Sequence, residues 1–211
     1  VQVKDDLTLS FRYFVPKVVA NGVIKLKIVR DGQPVDVELP VYPGADLVMP
    51  FLDGRYPRYF ICGPITFTQA TQDVTGRIVV SSQKNMIALQ LLQSPLIIRQ
   101  YDRPAFKGEE LVVLGAPLFP HRVGKGSGSA TLGVVSHIDE TPVRNLTHLV
   151  ELVRDASGEY LVIGIAGKRE TLVFKREELL ASTEEILSDE GIRHQCSEDL
   201  QTVWDKQDAG D

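Results

Sequence analysis

A helix followed by a two-stranded hairpin is indicated twice in this chain, and this repeat constrains the fold more than any single motif. The first copy spans residues 7–41 and turns at Asp31 and Gly32 between two alternating apolar runs. The second copy spans residues 145–174 and turns at residues 166–169. A glycine-containing turn between alternating apolar runs predicts a β-hairpin. The chain is therefore predicted to contain two related units.

The two copies differ in what precedes them. Residues 45–144 precede the second copy, whereas almost nothing precedes the first. We therefore expect the first unit to lack its front half and the chain to be the C-terminal part of a longer protein. The expected parts are the end of a first unit (1–44), a Pro- and Gly-rich linker (45–58), a second unit with an inserted helix (59–175), and a C-terminal helix with a polar tail (176–211).

Charge and cysteine content exclude several classes of partner and cofactor. The net charge is −5 and the pI about 5.4, which favours neither nucleic acid nor an anionic membrane. No apolar run approaches the length of a membrane span. Cys62 and Cys196 are far apart in sequence and have no zinc-ligand spacing, so reduced thiols are favoured over a disulfide. We expect no metal and no cofactor.

A catalytic set is not indicated. Ser127 lies between two glycines, but Lys125 stands where a G-x-S-x-G turn needs its first glycine. The same stretch fails the spacing of phosphate-binding loops, with Ser129 in place of the last glycine. A flexible loop is the favoured interpretation, and we expect no enzyme activity from this chain alone. The four histidines lie on separate segments: His121, His137, His148 and His194.

The clearest predicted helix spans residues 145–156. Asn145 is a good N-cap, and four apolar residues recur at helical spacing: Leu146, Leu149, Val150 and Val153. His148 lies outside this stripe, and two interpretations stay open for it, a surface histidine or a side chain lining a groove. Further helices are predicted at residues 81–92 and at residues 177–189, where Gly191 follows the end of the helix.

Residues 133–149 resemble the stretch before the last helix of a PDZ domain, with the pattern V-x-x-x-N-G-x-P-V-x-N-x-x-x-L. Asp139 and Glu140 stand where the family often has Asn-Gly. The likeness is strongest to the C-terminal PDZ region of Deg/HtrA-type, trypsin-like serine proteases. The closing motif Cys196-Ser197-Glu198-Asp199-Leu200 is similar to the plant nuclear Deg subgroup and its bacterial relatives.

The resemblance implies an α+β fold, mainly β with capping helices. The expected architecture is a PDZ-like, partly open β-barrel or sandwich, preceded by the C-terminal part of another PDZ-like unit. A PDZ domain binds an extended peptide as an added strand beside a helix. The chain is then a non-catalytic region that serves substrate recognition or oligomer assembly, with a protease domain upstream. A stand-alone PDZ adaptor is the alternative.

The resemblance also implies where a peptide binds. The motif at residues 63–67 keeps only the first Gly and the Phe of the family's Gly-Leu-Gly-Phe carboxylate loop, and Pro64 lacks an N–H. The expected peptide-binding residues are Ile61, Cys62, Gly63, Pro64, Ile65, Thr66, Phe67, His148 and Leu152. Expected partners are a protein or peptide ligand, the upstream protease domain and further copies of the chain. A bacterial relative would be exported to the periplasm; the compartment of this chain stays open.

Overall fold

Two units make up the chain, Val1–Ala45 and Asp46–Asp211. The computed structural model describes residues 2–4, 7–8, 18–41, 46–81, 83–115, 118–127, 132–167 and 171–206. The predicted helix that opens the first unit falls mostly on residues 9–17, which lie outside the described residues.

The described residues of the first unit include two antiparallel strand pairs. Strand β1 (Gln2–Lys4) pairs with β2 (Leu7–Thr8), so the start of the predicted first helix is a strand. Strand β3 (Val23–Arg30) pairs with β4 (Gln33–Pro40), which confirms the predicted hairpin. Its two turn residues, Asp31 and Gly32, have φ values of 52° and 76°. Positive φ at both central positions matches the right-handed twist of the flanking strands.

The second unit is built on two antiparallel sheets. The first sheet has the order β5-β6-β7, with β5 at Tyr59–Cys62, β6 at Ile65–Gln69 and β7 at Val112–Leu114. The second sheet has the order β11-β10-β8-β9, with β8 at Val135–Ile138, β9 at Thr141–Pro142, β10 at Tyr160–Ile165 and β11 at Thr171–Lys175.

Among the described residues, these two sheets are joined next to β7 and β8 by a β-bridge. Val113 of β7 pairs with Val134, which precedes β8, and the Leu114 N–H donates to the Gly133 carbonyl at 3.0 Å. The sheets therefore curve into one partly open barrel, which together with the helices described below confirms the predicted α+β fold. Its interior is a single apolar cluster that includes Phe60, Phe67, Leu114, Ile138, Leu149, Ile163 and Leu200.

Three helices lie between β6 and β7: α1 (Gln72–Ser81), α2 (Gln83–Leu91) and α3 (Pro95–Ile98). The sequence predicted one helix in this region, at residues 81–92. The insertion builds a second, smaller apolar cluster, to which Leu89 and Leu96 contribute together with Val48 and Met49. The inserted helices thus pack beside the barrel core and extend it.

Helix α4 (Leu146–Asp155) begins where the sequence predicted. The Asn145 Oδ1 accepts a hydrogen bond from the His148 N–H at 2.8 Å, and its Nδ2 donates to the Gly108 carbonyl at 2.9 Å. Glu110 accepts from the Leu146 N–H at 3.1 Å. All four residues of the apolar stripe are buried, as predicted: Leu146, Leu149, Val150 and Val153.

The C-terminal helices complete the unit. Helix α5 spans Arg176–Asp189, and the Ile192 N–H reaches back to the Leu187 carbonyl at 2.8 Å. Gly191, with a φ of 65°, supplies the left-handed conformation that this ending requires. Helix α6 spans Glu198–Trp204 and packs against α4. Leu200 of α6 is fully buried, so the C-terminal part of the described chain belongs to the barrel core.

Replacing the N-cap of α4 should destabilise the second unit. Asn145→Ala removes the acceptor for the His148 N–H and the donor to Gly108, and we expect a loss of about 1–2 kcal/mol in the free energy of unfolding. Asn145→Ser is the matched control, because its hydroxyl keeps the cap and it loses only the contact to Gly108. Urea unfolding followed by circular dichroism measures both; equal losses for the two variants would contradict the capping role.

Candidate functional site

The predicted carboxylate-binding loop is a tight, buried turn between β5 and β6. Cys62 pairs directly with Ile65, so Gly63 and Pro64 alone form the turn. The Gly63 N–H, which a ligand carboxylate would need, donates to the Thr183 Oγ1 of α5 at 2.7 Å. Of the seven predicted site residues in this stretch only Thr66 is partly exposed; buried are Ile61, Cys62, Gly63, Pro64, Ile65 and Phe67.

Strand β6, the expected partner of an added peptide strand, lies in the middle of its sheet. On one edge Phe67 pairs with Phe60 of β5, and on the other with Leu114 of β7. The Thr66 carbonyl accepts from the Gly115 N–H at 2.7 Å, which extends the second edge. Strand β7 pairs with one edge of β6, so a peptide could be added only to the other edge. Strand β5 already occupies that edge.

The outer edge of β5 is also paired, with residues 195–197, here called the closing segment. The Ile61 N–H donates to the Gln195 carbonyl at 2.9 Å, and the Ser197 N–H donates to the Tyr59 carbonyl at 3.0 Å. Phe60 and Cys196 are thus opposite each other in an antiparallel bridge. An extended piece of the chain is held here as an added strand.

Side chains reinforce the closing segment. The Gln195 Nε2 donates to the Ile61 carbonyl at 2.9 Å, and the Tyr59 N–H donates to the Ser197 Oγ at 2.7 Å. Beyond this segment, the ring of Trp204 lies 5.0 Å from the ring of Phe60, centroid to centroid. Backbone pairing and apolar contact therefore hold the end of the chain against β5 together.

Arg58, which directly precedes β5, contacts α4, α6 and the segment before β7. Its guanidinium pairs with Glu110 at 3.0 Å and with Asp199 of α6 at 2.6 Å, and it donates to the Thr147 hydroxyl of α4 at 2.9 Å. The Arg58 and Glu110 side chains are only 29% and 19% exposed, so solvent screens this pair less than a surface pair. The network fixes α6 to β5 and to the N-terminus of α4.

The other end of the β5–β6 hairpin is held by the loop before β8. The Phe119 N–H donates to the Pro64 carbonyl at 2.9 Å, and Gly124 packs so closely on the Pro64 ring that a Cβ there would lie 3.1 Å from it. His121 lies 3.1 Å from the Glu185 carboxylate of α5. This loop contains the glycines that the sequence assigned to a flexible segment; its residues 128–131 lie outside the described residues.

The two predicted groove residues on α4 have different surroundings. Leu152 is partly buried and packs against the same core cluster as Cys62, Ile65 and Phe67. His148 is half-buried, and its Nδ1 accepts hydrogen bonds from the Arg144 N–H and Nε, both at 3.3 Å. Burial lowers the pKa of His148, with the nearby Arg144 charge acting in the same direction. His148 therefore contacts the chain just ahead of its own helix.

The described histidines form no serine–histidine–carboxylate chain. The Ser136 Oγ lies 2.9 Å from the His137 Nδ1, but no carboxylate among the described residues bonds to that ring. His121 contacts Glu185 without a serine. Likewise, within the described ranges no three His, Cys, Asp or Glu side chains gather as a metal site would require. Nor does any described helix combine the length and hydropathy of a membrane span.

Both cysteines are buried free thiols. Cys62 lies in β5, and Cys196 lies in the closing segment that pairs with β5. Burial raises the pKa of Cys62 to about 12, and burial together with Asp205 and Asp199 raises the pKa of Cys196. A thiol reacts as its thiolate, so both side chains are inert while the closing segment stays paired. The sequence preference for reduced thiols over a disulfide is confirmed.

Several residues that define this region were not singled out from the sequence. Thr183 lies in the predicted helix at residues 177–189 and Arg58 lies at the end of the predicted linker, and neither residue stands out in the sequence. The motif that begins at Cys196 was recognised only as a family likeness. Their roles depend on pairing between residues 59 and 197, for which no local pattern gives a signal.

A profile of the PDZ domain matches residues 51–199. A curated relative named "Protease Do-like 2, chloroplastic", from Arabidopsis thaliana, is 27% identical over 200 residues. The match covers 95% of this chain and 31% of the relative, so the chain spans about a third of that protein. The name of that relative places it in the chloroplast, whereas residues 196–200 resemble a nuclear subgroup, so the subgroup stays a prediction.

The buried turn should not tolerate a side chain at its glycine. Gly63 has a φ of 54°, and a Cβ there would collide with the Leu179 side chain. We expect Gly63→Ala to lower the free energy of unfolding by about 3 kcal/mol or more. Gly191→Ala is the control, since Gly191 has a φ of 65° with nothing within 4 Å, and should cost about 1–2 kcal/mol. Similar losses in urea titrations would contradict the close packing at Gly63.

Thiol labelling should report whether the closing segment opens. In the native chain at about pH 8 we expect neither thiol to react with Ellman's reagent, whereas both react once urea has unfolded the chain. The variants Cys62→Ala and Cys196→Ala assign each signal. Labelling of Cys196 in native buffer at nearly the unfolded rate would show that the segment leaves β5 spontaneously.

Proposed function

Because the chain belongs to the PDZ domain family and its PDZ region is of the Deg/HtrA type, we propose that it is the non-catalytic interaction region of a Deg-like serine protease. In this role it binds extended polypeptide segments by β-strand addition, for substrate recognition, for oligomer assembly or for both. Its protease domain is encoded upstream, and the chain cleaves nothing by itself.

The observation that carries this proposal is the closing segment. Residues 195–197 lie along β5 as an added antiparallel strand, held by backbone hydrogen bonds at both ends. The buried Cys196 and the following Leu200 fill apolar space beside that strand. The fold therefore has the surfaces and the hydrogen-bonding groups that strand addition uses.

Contact of a ligand with the predicted residues stays a prediction. A peptide would need the position that β5 now holds, together with N–H groups that the chain itself satisfies. The Gly63 N–H is taken by Thr183, and Pro64 has none to offer. This closed geometry supports binding of internal segments, or docking within an assembly, over capture of free C-termini.

Selection from a random peptide library on phage tests the proposal directly. We expect the full chain to enrich peptides whose synthetic forms bind with micromolar to millimolar Kd, because strand addition rests on a few backbone hydrogen bonds. Blocking the peptide carboxylate as an amide should leave affinity unchanged. Fluorescence anisotropy measures both forms, and purified chain should leave casein intact.

Failure to enrich any peptide would leave assembly as the remaining role and would reject peptide recognition. Hydrolysis of casein by the purified chain would reject the non-catalytic assignment. The alternative of a stand-alone adaptor is decided by the coding sequence ahead of Val1: a trypsin-like domain encoded there supports the protease, and its absence from the complete reading frame supports the adaptor.

A further inference from the structure

Most strand edges of the second unit are already used or too short for an added strand. Strand β6 is paired on both sides, and β5 carries the closing segment. The next residue outward, Cys196, is only 3% exposed, so its own backbone is closed to a partner. Strand β9 offers two residues, and one of them, Pro142, lacks an N–H.

Strand β11 differs, because its edge away from β10 pairs with no other strand in the part of the chain that the structure describes. The Arg176 N–H donates to the Glu159 carbonyl at 2.9 Å, which makes Tyr160 and Lys175 a pair that exchanges no hydrogen bonds. Bonded and non-bonded pairs alternate along an antiparallel ladder. On β11 the outward N–H and C=O groups therefore belong to Thr171 and Val173, because the carbonyl of the next outward residue, Lys175, is the N-cap acceptor of α5. Among the described residues, none of these groups has a backbone partner.

The side chains beside this edge favour an apolar strand. Val173 is 58% exposed and Tyr160 is 51% exposed, both on the outer face of the sheet. Lys175, the one charged residue at the edge, lies 3.5 Å from Glu178 of α5. The Lys175 ammonium therefore lies toward α5. There it discourages pairing of another strand with this edge less than an unpaired lysine would.

The hairpin of the first unit provides a comparison, because its outward positions include residues that prevent pairing with another strand. The Val41 N–H donates to the Gly22 carbonyl, so the pair Val23–Pro40 exchanges no hydrogen bonds and the outward positions follow by alternation. On β4 these are Pro34, Asp36, Glu38 and Pro40; on β3 they are Val23, Lys25, Lys27 and Val29. Prolines and charged residues are the devices that block edge pairing.

Building on the proposed function, we propose that the free edge of β11 is the strand-addition site of this region. Its occupant is an extended, uncharged segment of a partner protein with a β-branched or aromatic residue beside Val173. Backbone groups of Thr171 and Val173 supply the hydrogen bonds, and the apolar face of Val173 and Tyr160 selects the side chain. No free carboxylate takes part.

Substitution of Val173 tests this site without breaking the existing ladder. The N–H of Val173 points outward, so Val173→Pro removes a donor to the ligand and none to β10. The probe is the most enriched phage peptide, acetylated and amidated at its ends, with affinity measured by fluorescence anisotropy. We expect Val173→Pro to weaken binding about tenfold or more, equivalent to about 1.4 kcal/mol.

Val29→Pro is the matched control, because Val29 is also an exposed valine at an outward position, 75% exposed on β3. It should leave affinity unchanged. If Val173→Pro fails to fold, Val173→Lys keeps the backbone intact and places a charge at the edge, with Val29→Lys as its control. Thermal unfolding by circular dichroism establishes that each variant is folded.

The outcomes separate this inference from the proposed function. In amide NMR spectra of the full chain, shifts centred on Thr171 and Val173 support the inference. A peptide that binds with shifts at residues 61–67, and loses affinity in Leu152→Asp but not in Val173→Pro, overturns the β11 site and leaves the function standing. Failure to enrich any peptide overturns the β11 site and rejects peptide recognition, which leaves assembly as the remaining part of the proposed function. Self-association that Val173→Pro abolishes, without peptide binding, makes a second copy the occupant and also overturns the proposal.

Discussion

The antiparallel pairing of residues 195–197 with β5 is the interaction on which the rest of the second unit depends. It satisfies the Ile61 N–H and the Tyr59 carbonyl at a buried edge, where unpaired groups would each cost about 1–3 kcal/mol. It also positions Cys196 and α6 so that the apolar cluster is closed on that side. Arg58 then ties α6 to α4 by its contacts with Asp199 and Thr147.

This closure changes what the fold can offer a ligand. A PDZ groove needs a strand edge, a loop with free N–H groups and a helix beside them. Here the helix is present as α4, but β5 takes the edge of β6 and Thr183 takes the N–H of Gly63. The same fold therefore presents its open backbone elsewhere, and the exposed groups of β11 are the clearest of these.

The elements that form through contacts between nearby residues could be predicted from short patterns in the sequence. The stripe that includes Leu149 and Val153 identified α4, Asn145 identified its start, and Asp31 with Gly32 identified the first hairpin. The insertion was harder, because α2 has apolar residues on more than one side: Leu89 is buried, whereas Leu91 is 80% exposed. A helix with no single apolar face gives a weak periodic signal.

The candidate site itself could not be obtained from such patterns. Whether Gly63 has a free N–H depends on Thr183, which lies 120 residues further along the chain. Whether β5 has a free edge depends likewise on Ser197, at a separation of 138 residues. Nothing in a stretch of a few residues encodes these partners. The family likeness suggested the groove, and only the tertiary pairing shows which strand edges and N–H groups the chain itself uses.

The separation between Tyr59 and Ser197 also has a consequence for biosynthesis. A contact that spans 138 residues raises the contact order of the unit, and closing such a loop is slow. On the ribosome, β5 and β6 emerge long before their outermost neighbour has been translated. During that interval the nascent chain displays an unpaired, apolar edge, and such edges are prone to aggregation until their partner strand is available.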